Sequence, residues 1–332
     1  MVLNLTPQYH EADARYRAAA TPEEKLAALE DMWRELPKHK ASEKVQAELK
    51  KKLSAARKEL KEGGRKGGPV RTDPFAIPRS GAGQIVLIGT PNVGKSSIVG
   101  GLTNANVKIA DFPFATPLPV PGMVQYEDIQ IQLIDTPPVT AEHVPPGMAG
   151  LWHGADVLIV VVDLASDTLL EDAEVCLNHL AERNIELTGG AGATPSESGT
   201  PMKVTGLMLA NKLDLPGAAD NLELLRELVG VRVPIEPLST RDETHMGRLP
   251  ELLFRMIRVI RVYAKPPGKK PDLDEPFVLP TGSDIHEMAR KVHRGLEHRI
   301  RAARLWGAGV VDGQNVHLDH VLHDKDIVEL HE

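Results

Sequence analysis

The 332-residue chain has one cysteine, Cys176, so no internal disulfide can staple it. A single thiol reads as a small buried apolar side chain in a reducing compartment. Aromatic residues make up only 4%, which predicts cores built from aliphatic side chains. The longest apolar run, Val157 to Val162, is far shorter than the roughly 20 residues a membrane-spanning helix needs. Residues 1–10 join no basic start to an apolar stretch, so no secretory leader is expected. Positive charge is not in excess either. A net charge of −7 excludes a uniformly basic nucleic-acid binder but leaves room for a local basic patch. These absences predict a soluble cytoplasmic protein without membrane insertion, and the length predicts two or three domains.

Charge and helix signals concentrate at the start. Thr21-Pro22-Glu23-Glu24 reads as a helix opening, with Thr21 as cap, Pro22 first and Glu24 completing a capping box. Leu26, Leu29, Met32 and Trp33 follow at helical spacing. Pro37 interrupts, and a second helical stretch runs from Ala41 to about Leu60 with Val45, Leu49, Leu53 and Ala56, giving a helical hairpin. Residues 34–71 hold thirteen Lys or Arg against five Glu, which reads as a solvated helix face or as a surface for RNA. Gly63 to Pro69 is a flexible basic linker.

From Gln84 onward strands and helices alternate. Gln84 to Ile88, Val157 to Val162, Val204 to Ala210 and Val231 to Leu238 read as strands, the second apolar enough for a sheet buried on both faces. Met123 to Tyr126 and Ile129 to Ile134 read as a hairpin turning at Glu127-Asp128. Asp167 to Arg183 and Leu249 to Val262 read as helices, and Thr188 to Pro201 as a surface insertion. This order predicts an α/β domain with a mostly parallel sheet and helices on both faces. After a Pro- and Lys-rich second linker, Lys265 to Pro271, a small α+β module follows. It has a strand at Phe277 to Leu279, helix signals from Ser283 to about Leu305, and short strands near Val310 and Ile327. The expected domains are 1–80, 81–268 and 274–332.

Gly89-Thr90-Pro91-Asn92-Val93-Gly94-Lys95-Ser96 lies between the first strand and a helix start. Glycines at both ends let successive backbone N–H groups, including those of Asn92 to Ser97, curl around phosphates. Lys95 is placed to reach the β- and γ-phosphates, and the Ser96 hydroxyl to bind Mg²⁺. Asp135 ends an apolar strand and can hold the same Mg²⁺ through water. Thr116, in Asp111-Phe112-Pro113-Phe114-Ala115-Thr116, can supply a second protein ligand to the metal. Asn211-Lys212-Leu213-Asp214 follows a buried strand. The Asp214 carboxylate can accept from the N1–H and 2-amino groups of guanine, and adenine offers neither donor there. Asn211 would tie this loop to the P-loop and the base edge, with the Lys212 stem over the ring. The Ser239 and Thr240 backbone, ending the next strand, can approach the guanine oxygen. His317, His320 and His323 lack a zinc-like ligand set and read as surface histidines.

Together these residues resemble the Obg and developmentally regulated group of P-loop GTPases. Asp111 to Gly122 looks like that group's switch region, with Ala115 in place of a threonine. Ala41-Ser42-Glu43-Lys44 and Lys50-Lys51-Lys52-Leu53 look like its helical lead-in. Glu275 to Leu279, Val292 to Leu296, Leu305-Trp306-Gly307 and Asp324 to Leu330 resemble a TGS domain, a ubiquitin-like β-grasp fold. The resemblance implies GTP hydrolysis to GDP, coupled to translation, the ribosome or RNA. It implies contacts to RNA or a protein partner through the TGS module, with the basic N-terminal helices as a second surface for RNA. It also places Asn92 where potassium-stimulated relatives bind K⁺.

Two positions depart from the group. The usual Asp-x-x-Gly reads Asp135-Thr136-Pro137-Pro138, and proline has no N–H for a γ-phosphate. Val139 stands where many small GTPases have a water-orienting glutamine. The expectation is slow intrinsic hydrolysis and a muted switch, with a nucleotide-bound scaffold as the competing reading.

Overall fold

The computed structural model describes residues 7–18, 22–36, 46, 49–54, 74–103, 118–189, 200–230 and 233–332. They fall in two compact units, 1–72 and 73–332. In the first unit, helices α1 (Pro7–Ala18) and α2 (Pro22–Glu35) share a core with the helical residues 49–54. Tyr9, Ala12, Leu29, Met32, Leu36, Leu49 and Leu53 make that core, and Arg15 pairs with Asp31 at 3.0 Å. The sequence predicts helix up to about residue 65 and gives a start for α2 but none for α1, whose sparse apolar positions Tyr9, Ala12 and Tyr16 carry little periodic signal. Thr21, the capping tetrapeptide's first residue, the Ala41 to Lys44 motif and the basic linker at 63–69 lie outside the described residues.

The second unit is organised by two sheets. The larger contains β1 (Gln84–Ile88), β2 (Val120–Tyr126), β3 (Ile129–Asp135), β4 (Val157–Asp163), β5 (Ile185–Thr188), β6 (Met202–Asn211) and β7 (Ile235–Pro237). Its order is β2-β3-β1-β4-β6-β5, with β7 alongside the far end of β6. Only the β2–β3 pair is antiparallel. Side chains of a strand alternate between faces, so both faces of these apolar strands must be covered. Val86, Ile88, Ile134, Val160 and Val162 face α4 (Met148–Gly154), α5 (Leu169–Ala181) and α6 (Ala218–Leu228). Ile85, Leu87, Leu133, Ile159 and Val161 face α3 (Lys95–Leu102) and α7 (Glu243–Ile257). Cys176 is fully buried in the first of these layers.

The sequence reading places no helix at α4 or α6. The first is seven residues long, after Pro145-Pro146-Gly147, with Gly147 at φ 94°. Only Ile235–Pro237 of the expected strand from Val231 to Leu238 is extended, residues 231–232 lying outside the described set. Most of the Thr188 to Pro201 insertion does too.

The smaller sheet corrects the expected helix from Leu249 to Val262. The helix ends at Ile257, and Arg258 takes a left-handed φ of 52°. Val259, Ile260 and Val262 are β-branched and favour the strand that follows. This β8 (Val259–Ala264) joins β9 (Phe277–Pro280), β10 (Ala302–Trp306), β11 (Gln314–Val316) and β12 (Asp326–His331) in the order β11-β10-β12-β8-β9. The Lys265 to Pro271 run therefore connects β8 to β9 within one sheet. The helix expected from Ser283 to Leu305 is only α8 (Ile285–Val292), capped by Asp284, which accepts from Glu287 N at 2.9 Å. A single 3-10 turn (Leu296–His298) and then strand β10 follow it, and the strand expected near Val310 forms instead at Gln314–Val316.

Arg261 on β8 binds the two sheets together. Its side chain is only 2% exposed. It meets Asp324 through two nitrogens at 3.0 and 2.6 Å, Asp128 at 2.8 Å, and Glu127. Its carbon end lies 4.8 Å from the Phe254 ring centre and 5.7 Å from that of Tyr126. Glu127 and Asp128 form the β2–β3 turn, and the Tyr263 hydroxyl donates to Asp128. Hydrogen bonds that Arg261 donates, first to Asp324, push its pKa up. Burial works against the Asp324 and Asp128 carboxylates, but bonds from Arg261 and, at Asp128, first from Tyr263 outweigh it and hold both below the usual range. Lys325, then Arg261, lowers Glu127.

Removing the cation leaves three facing carboxylates. Arg261→Ala is therefore expected to cost about 3 kcal/mol in urea unfolding of the full chain at neutral pH. Depressed carboxylate pKa values add stability above the ordinary carboxylate range and lose it as pH falls through the lowered values. The gap between wild type and variant should then narrow below about pH 4; a gap that widens on acidification would contradict this account.

Candidate nucleotide site

Strands β1, β3, β4 and β6 run parallel, so the segments after them leave the sheet at one edge, where ligands of such sheets bind. The P-loop follows β1. Asn92 and Gly94 adopt φ of 64° and 99°, which asparagine tolerates and glycine adopts without strain. A Cβ on Gly94 would lie 2.2 Å from Asn211 Nδ2, and one on Gly89 would lie 2.6 Å from the Val161 oxygen. Val93 is buried, Ser97 is half-buried, and Asn92 is exposed. Helix α3 then starts at Lys95, with N–H groups of its first turn aimed toward the loop.

Lys95 is buried and donates to the Gly89 and Thr90 carbonyls at 2.8 and 3.0 Å. Burial pulls its pKa down to about 8, with the Asp135 carboxylate opposing. Ser96 Oγ donates to Asp135 Oδ2 at 2.6 Å, and Asp135 is fully buried at the end of β3. Two hard oxygen donors side by side, next to an anion-binding loop, fit a Mg²⁺ ion. Thr116 lies outside the described residues.

The second half of the site follows β6. Asn211 Nδ2 donates to the Val93 carbonyl at 2.9 Å, which ties the two loops. Its Oδ1 is buried without a hydrogen-bond partner among the described residues. Lys212, at φ 64°, pairs with Asp163 at 2.5 Å. Asp214 accepts from Ser239 Oγ at 2.7 Å, and that bond first of all holds its carboxyl below the usual range. An ionised Asp214 suits a pair of donors in a plane. The Ser239 N–H donates to His245 Nδ1 at 3.2 Å, so of the two backbone groups expected near a base oxygen, that of Ser239 is already engaged.

Two stretches of the chain match known domain families. Residues 84–189 match the family described as 50S ribosome-binding GTPase, and residues 260–332 match the TGS domain. The chain therefore has the fold of a P-loop GTPase domain followed by a C-terminal TGS domain. Over nearly its whole length it is similar to Obg/DRG-like proteins. A GTP-binding protein of Methanocaldococcus jannaschii is 26% identical, over 93% of this chain and 92% of that one. Developmentally-regulated G-protein 1 of Arabidopsis thaliana is 25% identical over 92% and 90%. Ribosome-interacting GTPase 1 of Saccharomyces cerevisiae is 25% identical over 94% and 99%.

Within this GTPase frame, the segment after Asp135 is tied down. Thr136 Oγ1 donates to the Leu87 carbonyl at 2.5 Å, and the Val139 N–H to that of Gly89 at 3.1 Å. Val139 is fully buried in the layer with Ile88 and Val160. The residue in the glutamine position thus faces the core. The sequence gives Thr90 and Thr136 only as members of their motifs, with no role of their own, and does not bring Asp163 or His245 into the site. Asp163 had a visible signal, a carboxylate closing the longest apolar strand, whereas His245 reaches Ser239 only because α7 begins at that loop.

Gly94→Ala combines a strained φ with a clash on Asn211. It is expected to weaken guanine-nucleotide binding about 30-fold or more while the fold persists. Titration with labelled GDP would check it, and unchanged affinity would count against the Asn211–Val93 tie.

Proposed function

We propose that this chain binds GTP and GDP with Mg²⁺ between the P-loop, Asp135 and the Asn211–Asp214 loop, and hydrolyses GTP in the cytoplasm while acting on the ribosome or RNA. The observation that carries the reading is the convergence of two contacts at one sheet edge, Ser96 with Asp135 and Asn211 with Val93. Backbone N–H groups around Gly89 to Ser97 would hold the phosphates, and Lys95 would answer the charge on the β- and γ-groups. Mg²⁺, held by Ser96 and, through water, by Asp135, would neutralise charge that develops on the phosphates. Thr116 is proposed as the remaining metal ligand. Asp214 selects guanine, Lys212 covers its ring, and Ser239 and Thr240 border the base.

The buried Val139 favours slow intrinsic turnover, since no side chain at that position reaches a water. Asn92, exposed on the loop, is proposed to bind K⁺, which would supply positive charge beside the phosphates. The similarity to a yeast protein named for interacting with the ribosome supports the assignment to translation. The exposed Lys50, Lys51 and Lys52 and the TGS module are the surfaces proposed for RNA or a protein partner. A nucleotide-bound scaffold that scarcely turns over is the second reading, and the same valine favours it.

Single-turnover GTP hydrolysis, with and without ribosomes and in K⁺ against Na⁺, separates these readings. K⁺ is expected to raise the rate and Asn92→Ala to remove that rise; equal rates in the two salts would refute the cation site. No turnover under any condition would leave the scaffold reading. Asp214→Asn replaces one acceptor with a donor. It should lose at least about 100-fold in GDP affinity and gain binding of the xanthine nucleotide, which carries a carbonyl in place of the 2-amino group. Competition binding would show otherwise if adenine nucleotides displaced GDP from the wild type.

A further inference from the structure

The β2–β3 hairpin has one end in the nucleotide site and the other in the TGS sheet. Val120 pairs with Asp135 at the near end, and Tyr126 with Ile129 at the far end. Seven paired residues per strand span about 20 Å. At the tip, Glu127 and Asp128 meet Arg261, Tyr263 and Lys325, all from the TGS side. Tyr126, just before the turn, stacks on Phe254 with ring centres 4.8 Å apart, and Arg261 lies over both rings. Arg261 is also fixed from its own side by Asp324, which accepts from its backbone N–H at 2.8 Å as well as its side chain.

The tip is strained on both sides of the contact. Glu127 has φ 47° and Lys325 has φ 70°, the left-handed region that costs a side chain energy and glycine nothing. These two residues pair with each other at 2.9 Å. Strain in a non-glycine residue persists where surrounding contacts determine the conformation. Here those contacts cross from one domain to the other.

The chain leaving Asp135 in the other direction is bonded back to β1 and the P-loop. Thr136 and Val139 are bonded to the carbonyls of Leu87 and Gly89, and residues 136–139 are buried. Backward from Asp135, β3 is paired with β1 on one side and with β2 on the other, and of these only β2 continues into the tip that meets Arg261.

We infer that the hairpin, held at its tip by Arg261, transmits guanine-nucleotide state from Asp135 to the TGS sheet. The inference rests on the proposed nucleotide reading of the site. The coupling is reciprocal, so loosening the tip changes the relative affinity for GTP and GDP. Removing the Glu127 carboxylate is the cleanest disturbance. Glu127→Gly deletes half-exposed ion pairs, which weigh little in stability, and relieves the left-handed strain. A residue that served the fold alone would then leave the nucleotide preference where it was.

The test uses the full chain bound to GDP or to a non-hydrolysable GTP analogue. Affinities come from titration, and hydrogen exchange is followed in segments 259–264 and 324–331. In the wild type, exchange of both segments is expected to differ between the two complexes. In Glu127→Gly the melting temperature should not fall, the exchange difference should shrink at least about threefold, and the GTP-to-GDP affinity ratio should shift at least about 5-fold. Arg261→Met, which keeps a chain over the two rings, should give the same loss of coupling, and Glu127→Gly decides the matter if that variant does not fold. Equal exchange in the two wild-type complexes, or a Glu127→Gly protein with the full exchange difference and the wild-type ratio, would overturn the inference while leaving the nucleotide site intact. Failure of either nucleotide to bind the wild type would bring down the site reading and this inference together.

Discussion

Strand β4 is the constraint on which the rest depends. Val157 to Val162 have no polar side chain and no exposed surface, so the strand is stable only with neighbours on both edges and helices on both faces. Its neighbours are β1 and β6, in parallel. That choice sends the P-loop and the Asn211–Asp214 loop out at the same sheet edge, close enough for Asn211 to bond Val93. The candidate nucleotide site is thus a by-product of burying an aliphatic strand. The small glycines at 89 and 94 let the loop pack against Val161 and Asn211.

Much of the site was legible because its chemistry dictates residue types at fixed spacing. Gly94 must be glycine, Lys95 and Ser96 must follow it, and an Asp must end β3. Each of these requirements leaves a mark in the chain. Strand β1 matched its expected limits, and the turn at Glu127-Asp128 was visible as polar residues between two alternating runs. Tertiary partners left no such mark. Nothing around Arg261 shows in sequence that it will be buried among three carboxylates, two of them more than 130 positions away. The same holds for Val139, whose inward direction depends on a bond to Gly89.

The misread helix end at Ile257 shows where local signals compete. Leu249, Leu253 and Ile257 continue a helical period, and Val262 nearly extends it. What stops the helix is Arg258 in a left-handed conformation and a strand partner, β12, lying more than sixty residues on. Here tertiary pairing overrides the periodic pattern at β-branched residues that already favour a strand. The consequence is a direct passage from the last GTPase helix into the first TGS strand, with Arg258 alone between them.

The position of β12 has a consequence for the order in which the protein is made. It is the last of its five strands to leave the ribosome, yet it lies between β10 and β8. Every element of the GTPase sheet, including both halves of the nucleotide site, emerges earlier. A nascent chain can therefore complete that sheet while the TGS strands still wait with open edges, the stage at which unpaired strands are most exposed to wrong pairing. Asp324, which fixes Arg261, arrives in the same final stretch. The Arg261–Asp324 contact therefore forms after the larger sheet has all its strands.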